Sequence, residues 1–384
     1  MVQQLASNAL GRSSMRVALI LPTLEVGGQE RLAVALASRL GAQGIVVEVV
    51  ALVEGGALEA DLAAAGVPTT VLRPRPHAPG YPAALLAHLR QRRPDVLHSH
   101  SGSWFPAAVA GRLLGIPVLH VEHGRYPDEP WWSRWADRAA ARLTTRIVVV
   151  SDLLRRDMRE HLRLDVLPEL IRNGVAIPPL LDDAKRTALR ARIGLDADTP
   201  VVGTVGRLVE VKQHGLLLRA MAGVRQRVPR ARLVIIGDGP LRGALQQAAS
   251  IPELEGFVTF PGARADAAEL VGGFDVYVSS SSTEGTPLAV LEAMAAGVAV
   301  VATDVGGLGA VLDGGAAGAL VPPGDEAALA AEIAEVLTDP ARRAALASAG
   351  RARVERDYGV DACARRYAAL YDDLRARRRS TGGT

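Results

Sequence analysis

The residues most able to do chemistry lie in one run, Ser279–Val300, which reads SSSSTEGTPLAVLEAMAAGVAV. A serine-rich loop carries Glu284-Gly285-Thr286. Pro287 then suits the first position of a helix, where its fixed φ and missing N–H do no harm. The helix expected over Leu288–Ala296 is apolar except for Glu292. A carboxylate buried unpaired is expensive, so Glu292 needs a partner or a changed protonation state. Its neighbours at helical spacing, Leu288, Ala289, Ala295 and Ala296, are small apart from the first. That leaves space for a polar ligand such as a ribose diol; a purely structural hydrogen bond or cap is the alternative.

A second group reads Gly203-Thr204-Val205-Gly206-Arg207-Leu208-Val209-Glu210-Val211-Lys212. An apolar run ends in glycine and offers two cations five residues apart ahead of a helix. Arginine grips phosphate with two parallel N–H bonds and lysine supplies a point charge, so the pair would suit a diphosphate. Lys212 stands out because, of 44 basic residues, only it and Lys185 are lysines. A solvated surface pair fits the same residues.

The third group is rich in histidine: His98-Ser99-His100-Ser101 and His120-Val121-Glu122-His123-Gly124. Two-residue spacing can set both imidazoles of a strand on one face, which raises a metal site. No cysteine and no clear carboxylate set accompanies them. The expectation is therefore no metal, with packing or hydrogen-bonding histidines of which one or two meet a ligand. His123, beside a glycine at a strand end, is the candidate for contact with a reacting group. Earlier in the chain Gly27-Gly28 follows an apolar run, where adjacent glycines let backbone N–H groups approach an anion. The spacing is not that of a dinucleotide fingerprint. Three of the four tryptophans fall in Pro130–Trp135, either as packing or as an interfacial membrane contact.

These groups need elements to hold them. Short β-rich runs alternate with helical stretches throughout, as parallel sheets with crossover helices require. The strands expected are Arg16–Leu21, Ile45–Leu52, Thr69–Leu72, Asp95–His98, Val118–Val121 and Arg146–Val150. After a pause at Asn173–Leu181 they resume as Val201–Val205, Leu233–Ile236, Val258–Phe260, Val276–Val278, Val298–Ala302 and Ala319–Val321. The fold class expected is α/β, with two doubly wound (Rossmann-like) domains facing a central cleft. Residues 1–14 read as a disordered tail without the features of a signal peptide. Residues 15–178 make one domain and 179–358 a second, and 359–384 a final helix that has no strand after it and must pack on existing surface, plus a tail. The chemical groups then fall beyond the carboxyl ends of strands, where ligands of such sheets bind.

Composition agrees with two globular cores: 384 residues, 49% hydrophobic and 22% charged, against about 150–200 residues for an ordinary domain. A net charge of +3 gives no nucleic-acid footprint. No run of 18 apolar residues exists to span a membrane. The lone Cys363 allows no internal disulfide and fits a reducing cytoplasm, as a small buried residue on the last helix.

In order and spacing the chain resembles the retaining GT-B glycosyltransferases of the glycosyltransferase family 4 type. The resemblance runs from Met15 to the last helix. It rests on Gly27-Gly28-Gln29-Glu30, His123-Gly124, Asn173-Gly174-Val175, Gly206-Arg207 with Lys212, and Gly237-Asp238-Gly239-Pro240-Leu241. Glu284 and Glu292 reproduce the two glutamates eight apart, and Val321-Pro322-Pro323-Gly324-Asp325 the loop downstream. The resemblance implies transfer of a sugar from a nucleotide diphosphate, UDP before GDP, to an acceptor hydroxyl. It implies an acceptor-side domain over 15–178, a nucleotide-sugar domain over 179–358 and a final helix in 359–384 returning to the first domain. It implies no cofactor and no metal: Arg207 and Lys212 would neutralise the diphosphate. Gly27 and Gly28 would lie on a phosphate-approaching loop, Glu292 on the ribose and Glu284 on the transferred sugar. The backbone of Gly285, Thr286, Pro287 and Leu288 would meet the phosphates, and Gly262 and Arg264 would border the base. His123, Glu284, Arg207 and Lys212 would form the catalytic set. Thr286 stands where the family often has an aromatic residue, and Gly309-Ala310 stand near a common Pro-Glu, so substrate choice is what these departures touch. A nucleotide-sugar epimerase or glycan phosphorylase of the same fold, or a non-catalytic nucleotide-sugar-binding subunit, are the rival readings. No nucleic-acid partner is expected; the acceptor is a glycan, a lipid-linked molecule or a small molecule. The location expected is cytoplasmic, with a peripheral membrane contact as the variant.

Overall fold

A computed structural model describes residues 14–25, 27–72, 81–124 and 133–381, without the side chains of 81–82 and 379–381. The chain divides into two compact units. One is Met1–Ile171 with Asp361–Thr384, the other Arg172–Val360.

The first unit holds a parallel sheet of β1 (Arg16–Leu21), β2 (Val46–Ala51), β3 (Thr69–Val71), β4 (Val96–His100), β5 (Val118–Glu122), β6 (Arg146–Val149) and β7 (Glu169–Leu170). Their order is β3-β2-β1-β4-β5-β6-β7. Every strand pair is parallel, and β1 and β4 to β5 are buried almost throughout, which is why they read as continuous apolar runs rather than alternating ones. The strand ending β4 extends to His100, past the expected His98, because Ser99 and His100 still pair with His120 and Val121. β7 was not anticipated: its two residues carry no pattern of their own and are ordered by pairing with Val148 and Val149.

The second unit is built from β8 (Val201–Val205), β9 (Arg232–Ile236), β10 (Val258–Gly262), β11 (Val276–Ser279), β12 (Ala299–Thr303) and β13 (Ala319–Val321), all parallel, in the order β10-β9-β8-β11-β12-β13. The segment 173–181 belongs to this unit. Val175 donates its N–H to Tyr358 O (2.8 Å), and Val360 donates to Val175 O (3.0 Å).

Sheet order reverses between β1 and β4 in one unit and between β8 and β11 in the other. Diverging crossovers open a crevice there, beyond the carboxyl ends of the strands. The last helix, Val360–Thr381, has no strand to follow and packs on the first unit. Cys363, Ala364, Tyr367, Tyr371 and Leu374 are buried in that unit's core beside Val148 and Ile171. Cys363 is thus a buried thiol.

Candidate functional site

In the second unit the turn after β8 is shaped by close backbone crossings. Gly203 is obligatory, since a Cβ there would stand 2.1 Å from the Phe274 ring. Gly206 donates its N–H to Ile236 O (3.0 Å), and Leu208 donates to Asp238 O (2.9 Å). Gly237, at φ +149°, passes so near that a Cβ would lie 1.8 Å from Gly206 O. The knot pins the backbone while Arg207 extends into solvent, with no ion pair to its guanidinium among the described residues. The chain then makes a tight turn through Glu210–Lys212 and enters the helix His214–Arg227. His214 Nε2 lies 3.3 Å from Arg207 O. A carbonyl only accepts, so Nε2 carries the proton. Burial pushes His214 down to about 4, so it is a neutral strut across the loop at neutral pH.

The loop after β11 is stitched to that turn. Ser282 donates its N–H to Val211 O (2.9 Å). Ser280 Oγ shares its proton between Lys212 O (2.9 Å) and Gln213 O (3.1 Å). The stitching brings Lys212 Nζ to 2.5 Å from Glu284 Oε1, and Ser281 Oγ donates to the same oxygen at 2.7 Å. The two charged side chains are 26% and 10% exposed, so the pair is shielded but reachable. From the other side Gly306 and Gly307 press flat on this loop: a Cβ on Gly306 would lie 2.0 Å from Glu284 O, and one on Gly307 1.9 Å from Gly285 O. Gly306 is also left-handed, at φ +53°.

The helix after Glu284 spans Leu288–Ala295, and Pro287 stands at its N-cap with an extended backbone and not at the expected first helical position. No side chain caps it, unlike the helices begun by Asp182, Asp325 and Asp339, whose carboxylates accept first-turn N–H groups. Its N-terminus therefore keeps its positive end for an anion. Glu292, partly buried on this helix, shares a neighbour with Glu284. Burial, reinforced by the charge of both glutamates, pushes the Tyr277 hydroxyl well above its ordinary value, and Tyr277 Oη donates to Val205 O (3.2 Å). Tyr277 is thus a buried strand residue that the charge of both carboxylates reaches. Gly262 ends β10 at φ +83° with its carbonyl accepting from Gly237 N–H (2.9 Å). Arg264 forks onto Asp266 (2.7 and 2.6 Å), an acid that this bond holds down at about 2.

The first unit presents a different edge. Ser101 Oγ donates to Glu122 Oε1 in a short bond, and that oxygen also receives the backbone N–H of His123 (3.0 Å) and Gly124 (3.2 Å). Burial alone would raise the Glu122 carboxyl, but the His120 ring, with Nε2 3.6 Å from Oε2, and the bonds from Ser101 and Gly124 hold it below its ordinary value. His120 stacks on Trp104 at 4.0 Å and bonds Ser99 Oγ (3.0 Å). His98 Nδ1 meets Tyr371 Oη (2.6 Å), and His100 Nδ1 meets His123 Nε2 (2.8 Å). The histidines are thus committed to one another, to Tyr371, Ser99 and Glu122. Among the described residues no three of His, Cys, Asp or Glu group so as to hold a metal ion. At the other switch-point turn, a Cβ on Gly27 would lie 2.2 Å from Glu30 Oε2, so Glu30 lies over the start of the helix Gly28–Ala42. Gln29 Nε2 donates to Ser101 O (3.3 Å) and joins this turn to the histidine edge.

The structure therefore gathers Arg207, Lys212, Glu284, Gly285, Thr286, Pro287, Leu288 and Glu292 at one strand edge. Arg264 it ties to Asp266 instead. Tyr277 and His214 were not singled out from the sequence; Ser280 and Ser281 stood there only within the serine-rich loop, and His100, Ser101 and Glu122 only within the histidine group, without these pairings. Trp131 and Trp132 lie outside the described residues. Trp135 is 65% exposed with the Arg138 guanidinium 5.8 Å from its ring centre, so it does not pack into the core. Among the described residues no helix is long and apolar enough to cross a membrane.

Two doubly wound units, each with its polar residues at the switch point, define the GT-B class of glycosyltransferases. Residues 26–177 match the model for Glycosyltransferase Family 4, and residues 199–339 that for Glycosyl transferases group 1. A GDP-mannose-dependent alpha-(1-6)-phosphatidylinositol monomannoside mannosyltransferase of Mycolicibacterium smegmatis is 30% identical over 306 residues, 74% of this chain and 77% of that protein. The putative glycosyltransferase EpsF of Bacillus subtilis is 30% identical over 211 residues, so the match spans 51% of this chain and about half (54%) of that relative. The solved structure of Anabaena Alr3699/HepE in complex with UDP-glucose superposes with a TM-score of 0.82 at 22% identity, over 94% of this chain and 100% of that one. The chain belongs to glycosyltransferase family 4.

Proposed function

We propose that the protein transfers a sugar from a nucleotide diphosphate sugar to an acceptor hydroxyl with retention of anomeric configuration and without a metal ion. The observation that carries this is the Lys212–Glu284 contact beside an uncapped helix N-terminus at the β8/β11 switch point. A cation, a further exposed cation at Arg207 and a helix dipole converge where a leaving diphosphate gains charge, which is the preorganised field that the reaction needs. Glu292 would accept from the ribose hydroxyls, and Glu284 from hydroxyls of the transferred sugar. The amides of Gly285, Thr286 and Leu288 would face the phosphates. Gly262 would border the base, whereas Arg264 would have to leave Asp266 to do so. A phosphate at Gly27-Gly28 would need Glu30 to swing aside.

In the reaction the bond from the anomeric carbon to the diphosphate oxygen breaks as the acceptor oxygen bonds that carbon on the same face. The acceptor proton passes to a diphosphate oxygen, so no protein base is required. His123, neutral because burial lowers it to about 4, would orient the reacting oxygens by hydrogen bonding and not by charge. UDP is the favoured nucleotide and GDP the second; the HepE complex holds UDP-glucose and the Mycolicibacterium relative uses GDP-mannose. The test is transfer in excess EDTA with each donor, reading the product by NMR. The account expects undiminished turnover and the donor's own anomeric configuration. Loss of turnover restored by magnesium or manganese, or an inverted anomer, contradicts it.

A further inference from the structure

The polar edge of the first unit contains one contact that folding alone does not require: His100 Nδ1 lies 2.8 Å from His123 Nε2, with the two rings 13° from parallel. Burial keeps His100 well below its ordinary value and His123 at about 4, so at neutral pH each ring carries one proton. Exactly one of the two facing nitrogens then donates, and there are two arrangements.

One feature chooses between them. His100 Nε2 is buried with no hydrogen-bond partner among the described residues. If His123 donated, that nitrogen would bear an N–H buried without an acceptor, which folded proteins tolerate poorly; if His100 donates, only a bare lone pair is left there.

We infer that His100 is a positioning residue: its Nδ1–H donates to His123 Nε2 and so holds His123 as the Nδ1–H tautomer, which offers an N–H donor to an oxygen of the acceptor or the transferred sugar. The role in transfer rests on the proposed function; the tautomer does not. His100 is itself held from beneath. His98 stacks on it at 4.5 Å, and His98 Nδ1 is anchored by Tyr371 Oη at 2.6 Å on the last helix. Second-sphere partners of this kind fix tautomer and ring orientation in working imidazoles generally.

The experiment is a nitrogen-15 spectrum of the full chain labelled at histidine, with the His123 signals assigned by their loss in His123→Gln. The expected result is a protonated Nδ1 and an accepting Nε2 in the wild type. His100→Phe keeps the stack on His98 but has no donor, and should let the His123 signals move toward a mixture of tautomers. His100→Asn returns an N–H near the position of Nδ1 and should restore the wild-type pattern. Transfer assays should follow suit: a loss in kcat of roughly tenfold for His100→Phe, mostly recovered in His100→Asn, with nucleotide diphosphate affinity unchanged in both. A wild-type His123 protonated on Nε2 overturns the inference. So does a His100→Phe spectrum identical to the wild type. If the spectra behave as expected and no donor supports transfer, the tautomer stands and the proposed function falls.

Discussion

The two switch points use opposite electrostatics. At β1/β4/β5 the polar groups are mostly buried and bonded to one another: Ser101, Glu122, His100 and His123 form one network, and the lowered imidazoles of His98, His100 and His123 are neutral. At β8/β11 the charge is kept and left reachable. Arg207 is exposed, Lys212 is paired but partly open, and a helix start goes uncapped. The first edge is suited to orienting uncharged hydroxyls, the second to receiving an anion. A network whose one carboxylate, Glu122, is already bonded within it loses little when a neutral ligand arrives, whereas an open charged edge must exchange partners when a phosphate does.

The largest effect expected from breaking this contrast is at Lys212. Lys212→Ala removes a cation and leaves Glu284, only 10% exposed, with its charge facing the diphosphate. Calorimetry should show nucleotide diphosphate affinity lowered by about 3 kcal/mol, roughly a hundredfold, the scale for truncating one partner of a shielded charged pair. An unchanged affinity would make Lys212 a surface residue.

Acid should find the first edge sooner than the second. Burial holds His98 and His100 well below 6.5 when folded, and burial brings His123 down to about 4, with Glu122 pulling it up and His120 down. Each folded-state value is depressed, so unfolding takes up protons below 6.5. The stability is whole above 6.5 and is lost as pH falls toward 4. His123 alone accounts for about 3 kcal/mol over that window. The second unit has a single comparable group, His214. Hydrogen exchange followed from pH 7 to pH 4 should show β4 and β5 losing protection before β8 and β11; simultaneous loss would remove the contrast.

A smaller effect separates the glutamates. Glu292→Gln should weaken the bare nucleotide diphosphate by about 1.5 kcal/mol, because an amide accepts more weakly from two ribose hydroxyls than a carboxylate does. Titration of uridine and guanosine diphosphates reads this directly, and no change in either would take Glu292 away from the ribose.

Much of this frame was legible in the sequence where burial writes a continuous apolar run: β1, β8 and β13 fall on the residues expected. β7 was not, because Glu169–Leu170 owes its extended form to a neighbour and not to its own side chains. The site residues were readable one at a time from type and spacing, since a lone acid on an apolar helix and a rare lysine are local anomalies. Their pairings were not. Lys212 meets Glu284 across 72 residues, and His98 meets Tyr371 across 273, through crossovers whose side-chain geometry no local pattern encodes. For the same reason Tyr277, an ordinary strand residue by sequence, finds Val205 O only once β8 lies beside β11.

The central claim is that Lys212 belongs to the donor and that Glu284 holds it only until the donor arrives. The direct measurement is calorimetry of a bare nucleoside diphosphate on the wild type and on Glu284→Gln, alongside transfer rates. Neutralising Glu284 releases Lys212 and removes a negative charge from the path of the phosphates, while the missing sugar leaves Glu284 nothing of its own to bind. The account predicts affinity tightened by roughly tenfold, about 1.4 kcal/mol, together with slower transfer. An affinity weakened by the same substitution would contradict it, because Glu284 would then be holding the nucleotide and not restraining the lysine.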